Sequence, residues 1–248
     1  MNTSKKSLFL LFLAAGSFCW AVHTSGAAPT DGDPIVAGFR KTTIASVSDA
    51  VDQLTGQRGF LSHDMRPRTE GQIVGRAITA LVKPATPEKA IPALAVKHAV
   101  EMIDNAKPGE VGVIVVEGDL NITGLGGLMA TAAKSREMAG VIVDGAVRDV
   151  AEIRQLGLPV FSRSVAPSSV VGRYASVANQ IPVKCAGVMV NPGDIIVAGE
   201  DGVVVVPASR AAEVLKRAQE IDELEKKMVP VILREKSLQK AVEFFKRI

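Results

Sequence analysis

The stretch Gly140-Val141-Ile142-Val143-Asp144-Gly145-Ala146-Val147 is a near-continuous apolar run of strand length. Such a run, without polar alternation, reads as a buried strand of an α/β protein whose sheet is covered by helices. Arg148-Asp149 follows at once, and Glu152 comes after two further residues. The strand thus delivers a permanent cation and a carboxylate to its own C-terminal edge, where α/β sheets bind their ligands. Arg offers a rigid donor fork for a carboxylate or enolate oxygen, and Asp offers hard oxygens for a divalent cation. A plainer alternative makes Asp149 the cap of a helix starting near Val150, with Glu152 completing a capping pair. Capping accounts for the two carboxylates but not for Arg148.

Upstream stands a glycine-rich loop, Gly124-Leu125-Gly126-Gly127-Leu128-Met129-Ala130. It follows a second apolar strand, Val111–Glu117, and runs into a helix-forming stretch. A strand, glycine loop and helix start together aim free backbone N–H groups at an anion. A dinucleotide fingerprint fails on spacing, because Met129 stands where a small residue is needed, and no Gly-Lys-Ser/Thr loop occurs. The loop suits a small carboxylate better than a nucleotide. The substrate-binding candidates are therefore Gly127, Leu128, Met129, Ala130 and Arg148.

Periodicity predicts one α/β domain. Helices are expected near Val47–Leu54, Ile91–Ala106, Leu128–Met138, Val150–Leu156 and Ala208–Lys226. Strands are expected at Ile73–Leu81, Val111–Glu117, Gly140–Val143, Pro159–Ser162, Pro182–Val190, Ile195–Val197 and Val203–Val206. Pro230 should break the long late helix, and Ser237 can cap a last one, Leu238–Ile248. Asp201-Gly202 reads as a hairpin turn between Val-rich strands.

Twenty residues separate Gly127 from Arg148, giving Gly-(20)-Arg-Asp-(2)-Glu. This pattern resembles the signature of the RraA-like family, which includes class II 4-hydroxy-4-methyl-2-oxoglutarate aldolases with oxaloacetate decarboxylase activity. Further blocks are similar to that family: Ser46–Val51, Ile73–Thr79, Asp144–Val150, Leu158–Phe161 and Val190–Asp194. The resemblance runs from about Thr43 to the C-terminal helices. It implies a layered β/β/α sandwich, related to swivelling phosphohistidine domains. It also implies a homotrimer or homohexamer with sites between subunits. A non-catalytic branch of the family binds and inhibits ribonuclease E, and there the Asp of the Arg-Asp pair is replaced. This chain keeps Asp149 and Glu152, which favours the enzyme. One departure is Gly199, where the family commonly carries an Asp before the turn.

The resemblance implies roles. Arg148, Asp149 and Glu152 are catalytic, Asp149 holds the metal, and Asp144 lies behind them on metal-bound water and the Arg148 fork. The histidines are His23, His63 and His98, and none falls in either motif. Zinc with nitrogen or sulfur ligands is thereby disfavoured, whereas one carboxylate with waters suits Mg²⁺, or Mn²⁺ in its place. The substrate is a small 2-oxo acid cleaved through a pyruvate enolate. A base for the departing proton would come from a neighbouring subunit, with Glu225 as a candidate.

Charge and leader set the compartment. With 29 Lys+Arg against 26 Asp+Glu and 4% aromatic residues, the chain lacks a basic stripe or stacking platform for nucleic acid. Lys5-Lys6, the apolar run from Ser7 to Ala15 and Ser25-Gly26-Ala27 come in the order of a secretory signal cleaved after Ala27. The run is too short and interrupted to span a membrane. Expected domains are therefore a leader (1–27), a flexible lead-in (28–42), the RraA-like catalytic domain (43–228) and a helical extension (229–248). The mature chain would be exported, periplasmic or secreted, with no membrane association and a lone cysteine, Cys185, packed as a small hydrophobe.

Overall fold

The computed structural model describes residues 32–246. The expected leader, its cleavage site and the first four residues of the lead-in, 28–31, lie outside the described residues. The strands are β1 (Arg66–Pro67), β2 (Ile73–Pro84), β3 (Val111–Val116), β4 (Thr123–Leu125), β5 (Gly140–Val147), β6 (Val160–Val165), β7 (Tyr174–Asn179), β8 (Val183–Cys185), β9 (Val188–Val190), β10 (Ile195–Gly199) and β11 (Gly202–Val206). The helices are α1 (Pro34–Phe39), α2 (Ile44–Thr55), α3 (Pro92–Ala95), α4 (Lys97–Asp104), α5 (Gly127–Ser135), α6 (Val150–Leu156), α7 (Ala211–Glu235) and α8 (Leu238–Phe245).

Strands β6, β5, β3 and β2 lie side by side and parallel. Every residue of β3 and β5 is buried, as their largely apolar sequences require, and Asp144 is the one charged residue among them. The twelve-residue β2 pairs antiparallel with β10 through its first half and with β7 through its second. Strand β11 extends the sheet beyond β10. Side-chain alternation along β2 feeds two cores: Ile78, Ala80 and Val82 pack under α4, α5 and α6, while Ile73 and Ala77 face the β8–β9 hairpin and the loop around Leu61 and Met65. A third core seats α1, α2 and α7 on β10 and β11. Helices, main sheet and hairpin thus form the expected α/β layers.

Three expectations are corrected. The lead-in is not flexible throughout: Asp33 caps α1 through the amides of Ile35 and Val36, and Phe39 is fully buried. Pro182–Val190 is not one strand but a tight hairpin, turning at Ala186 and Gly187, both with positive φ. Apolar content alone hid that turn. Pro230 does not break the late helix, because α7 runs through it to Glu235, so the expected boundary at 228 falls inside one element. Pro230 is exposed, and the carbonyl it frees can be hydrated. The helix ends instead at Lys236 in the left-handed region, and Ser237 then caps α8 through the Lys240 amide.

Candidate functional site

Strand β4 explains why the two motifs meet. It was not foreseen, being three residues long, yet it pairs parallel with β5, Thr123 opposite Ala146 and Leu125 opposite Val147. The Arg148 amide donates to the Leu125 carbonyl at 3.1 Å. Both segments therefore end at the same edge, and Gly126-Gly127 lies against Arg148-Asp149.

Asp149 holds the N-cap position of α6 but does not cap it. Its backbone is left-handed, φ 57° and ψ 35°, and its side chain makes no capping bond. The carboxylate turns across to the loop, where Oδ2 accepts the Gly127 amide at 2.8 Å. Arg148 Nε stands 3.6 Å from the same oxygen. The plain capping alternative is thus overturned, and with it the capping role of Glu152. A non-glycine residue in the left-handed region carries a backbone cost, and here its side chain is turned onto the glycine loop. Asp tolerates that region better than most residues.

The glycines leave room for the side chains that surround them. A Cβ on Gly127 would collide with Glu152 Oε2 and lie 3.5 Å from Asp149 Oδ2. On Gly126 it would lie 3.0 Å from Asp149 Oδ2 and 3.1 Å from Arg148 Nε. The structure therefore gathers Gly126, Gly127, Arg148, Asp149 and Glu152 around one turn. Leu128 and Met129 open α5 beside it, their amides within the first helical turn, where no intrahelical acceptor exists. Ala130 is corrected: its amide donates to the Gly126 carbonyl at 3.0 Å and is spent within the helix.

Asp144 is also placed elsewhere. The register of β5 shifts between Val143 and Ala146, and the carboxylate points into the layer opposite the helices. There it bonds Arg163 Nη1 at 3.1 Å and the Ala186 amide, not the Arg148 fork. Arg163 also pairs with Asp64 at 2.8 Å, and that guanidinium holds the Asp64 carboxyl down to about 2. This three-residue network ties β5, β6, the 60s loop and the hairpin together. Nothing in the local sequence marked Arg163 or Asp64 as partners.

His98, expected on a helix or the surface, sits on α4 with no exposed area. Its ring lies against the backbone of Ala95 and Gly124 without forming a well-aligned hydrogen bond. Burial pushes its pKa down to about 4. The neutral ring packs beneath the glycine loop and takes no part in the cradle. Glu225 is exposed on α7, and Asn121 forms a local turn with Asp119. Cys185 is fully buried, as expected.

Hard oxygen ligands fit this cradle. Glu152 Oε2 takes the space that a Cβ on Gly127 would fill, and Asp149 Oδ2 lies 3.5 Å from that same point. Among the described residues, no group of three or more His, Cys, Asp or Glu could enclose a cation. A cation held here would keep most of its water, as Mg²⁺ does.

The fold is a mixed α/β sheet whose parallel strands bring an Arg-Asp pair, Glu152 and a glycine turn to one strand edge. The chain belongs to the RraA-like family: the Aldolase/RraA family model matches residues 44–205. A protein of Halalkalibacterium halodurans provisionally named a 4-hydroxy-4-methyl-2-oxoglutarate aldolase is 35% identical over 186 residues, 74% of this chain and 81% of that one. Two solved structures share the fold. An uncharacterised protein of Pseudomonas syringae superposes with TM-score 0.73 at 29% identity, covering 84% of this chain and 96% of that one. Streptomyces coelicolor RraAS2, described as an unusual member of the RNase ES inhibitor RraA family, gives 0.70 at 26% identity over 80% and 96%.

Proposed function

We propose that this chain is a carbon–carbon lyase that cleaves 2-oxo acids of the 4-hydroxy-4-methyl-2-oxoglutarate type to pyruvate, and that it decarboxylates oxaloacetate by the same route. The observation that carries this reading is Asp149, held in a costly backbone state that turns its carboxylate onto the glycine cradle beside Arg148 and Glu152. The name of the H. halodurans relative supports it.

Asp149 would hold Mg²⁺ or Mn²⁺, which when bound supplies Lewis-acid polarisation of the keto group. The Leu128 and Met129 amides, at the positive end of α5, take the substrate carboxylate. The Arg148 fork faces the keto oxygen. When the C3–C4 bond breaks, its electron pair moves into C2–C3 and negative charge collects on that oxygen, where Arg148 stabilises it. Aldol cleavage passes the 4-hydroxyl proton to a base, whereas decarboxylation releases CO₂, and both leave the pyruvate enolate to be protonated at C3. Glu152 positions the water around Asp149.

The reading includes a homotrimer or homohexamer. Leu128, 91% exposed beside the cradle, and Val165, 54% exposed at the end of β6, are apolar surface that a second subunit would cover. It also includes export after removal of residues 1–27. Mass spectrometry of protein from the native host should find a chain beginning at Ala28, and an intact Met1 on soluble cytoplasmic protein would defeat export.

The deciding assay is pyruvate release from oxaloacetate and from 4-hydroxy-4-methyl-2-oxoglutarate. Release should stop with EDTA and return with Mg²⁺ or Mn²⁺. If neither substrate yields pyruvate with metal present, the lyase reading falls. The alternative would then stand, a non-catalytic regulator binding a ribonuclease or another protein.

A further inference from the structure

We propose that the cleft formed by the Arg68–Gly71 loop, the last turn of α6 and the β10–β11 turn binds a small dianion, a phosphate or a dicarboxylate. The cleft holds about 850 Å³ and is lined by Arg68 and Arg154. That volume lies within the range of small-molecule sites.

Both guanidinium groups are anchored at Nε by the protein, Arg68 half-buried and Arg154 exposed. Arg68 Nε donates to Ser162 Oγ at 2.7 Å, and its Nη2 donates to the Ser162 carbonyl at 2.8 Å. Arg154 Nε donates to the Arg68 carbonyl at 3.0 Å. These bonds leave Nη1 of Arg68 and both Nη groups of Arg154 without a protein acceptor among the described residues.

Among the described residues neither arginine forms an ion pair, a state shared with Arg58, Arg136 and Arg173, which bond backbone carbonyls. Arg76, Arg163, Arg210, Arg217 and Arg234 each meet a carboxylate. Burial lowers the Arg68 pKa, and no acidic neighbour offsets it. A partly desolvated cation without a counterion is costly, and a bound oxyanion would remove that cost. Planar guanidinium forks also match the paired oxygens of phosphate and carboxylate. Glu70 and Glu200, exposed on the lining, limit the site to small ligands because they repel an extended polyanion.

This cleft is separate from the cradle. Asp149 precedes α6 and Gly157 follows it, so Arg154 stands toward the opposite end of that helix from the Arg148-Asp149 pair. The proposal does not depend on the lyase reading.

Calorimetric titration of the full chain with inorganic phosphate and with succinate, at constant ionic strength, tests it. Wild type should bind one ion per chain saturably, and the tighter of the two identifies a phosphate or a dicarboxylate ligand. Arg154→Gln, at an exposed position where the fold is not at risk, should weaken binding about tenfold, the effect of losing a forked, charge-assisted contact. Arg68→Lys, which keeps the charge but not the fork, should weaken it as well. Arg148→Gln should leave it unchanged. Absence of saturable binding to wild type overturns the proposal. So does binding that survives Arg154→Gln but is lost in Arg148→Gln, since the ion would then occupy the cradle.

Discussion

Asp149 combines two demands that the chain meets with one residue: a carboxylate directed at Gly127 and a backbone at φ 57°. Asn tolerates the left-handed region as Asp does and can still accept the Gly127 amide, so Asp149→Asn should keep the fold. It removes the anionic ligand, and turnover should fall by at least about a hundredfold, on the order of 3 kcal/mol of transition-state stabilisation. Near-wild-type kcat with added Mg²⁺ would show the carboxylate to be structural. Gly127→Ala tests the cradle from the other side. Its Cβ needs the space held by Glu152 Oε2, so the Glu152 side chain must swing away. We expect kcat to drop about tenfold or more with thermal stability little changed, since Glu152 is exposed and flexible. Unchanged kinetics would remove Glu152 from the site. The spacing of Gly127, Arg148 and Glu152 was legible in the sequence because it reflects chain connectivity around two adjacent strands. The turn of Asp149 was not, since a residue before a helix normally caps it. Nor was the spent amide of Ala130, which depends on where α5 begins.

At the scale of elements, the runs of β2, β3 and β5 announced themselves because burial on both faces leaves few polar positions to confuse the period. Short elements stayed hidden. Strand β4 has three residues and depends on pairing with β5, and α1 depends on the Asp33 cap and the burial of Phe39. Such contacts are tertiary, and no local pattern encodes them. Pro230 misled for a different reason. Proline disfavours the middle of a helix by roughly 3 kcal/mol relative to alanine, yet the packing of Ile221 and Met228 carries α7 past it. Pro230→Ala should therefore restore the amide bond to Lys226 and slow hydrogen exchange across the last two turns of α7. If exchange there is unaltered, those turns are held by packing alone and Pro230 exacts no local cost.

Across the whole molecule, His98 and Asp64, on opposite faces of the sheet, contribute two separate stages to the response to acid. His98 lies under the glycine loop with a folded pKa of about 4 against an ordinary 6.5. As pH falls, the unfolded chain takes up the proton first, and the folded chain refuses it because the ring is buried. The stability that comes from keeping His98 neutral is complete above pH 6.5 and is lost progressively between 6.5 and about 4. The full interval is worth on the order of 3 kcal/mol. Asp64 acts lower. Its carboxylate is held by Arg163, so its contribution is complete above pH 3.8 and is lost as pH falls toward 2. Acid should thus weaken the fold in two successive stages, the first from the helix side and the second from the hairpin side. Urea midpoints measured from pH 3 to 8 should fall steadily below 6.5 in wild type. In His98→Leu, which fills the same buried space with a group that does not titrate, the decline between 6.5 and 4 should be clearly shallower than in wild type, and the carboxylates should carry what remains. A wild-type slope that persists in the leucine variant would assign the acid response to another group and deny His98 its buried, neutral place beneath the site.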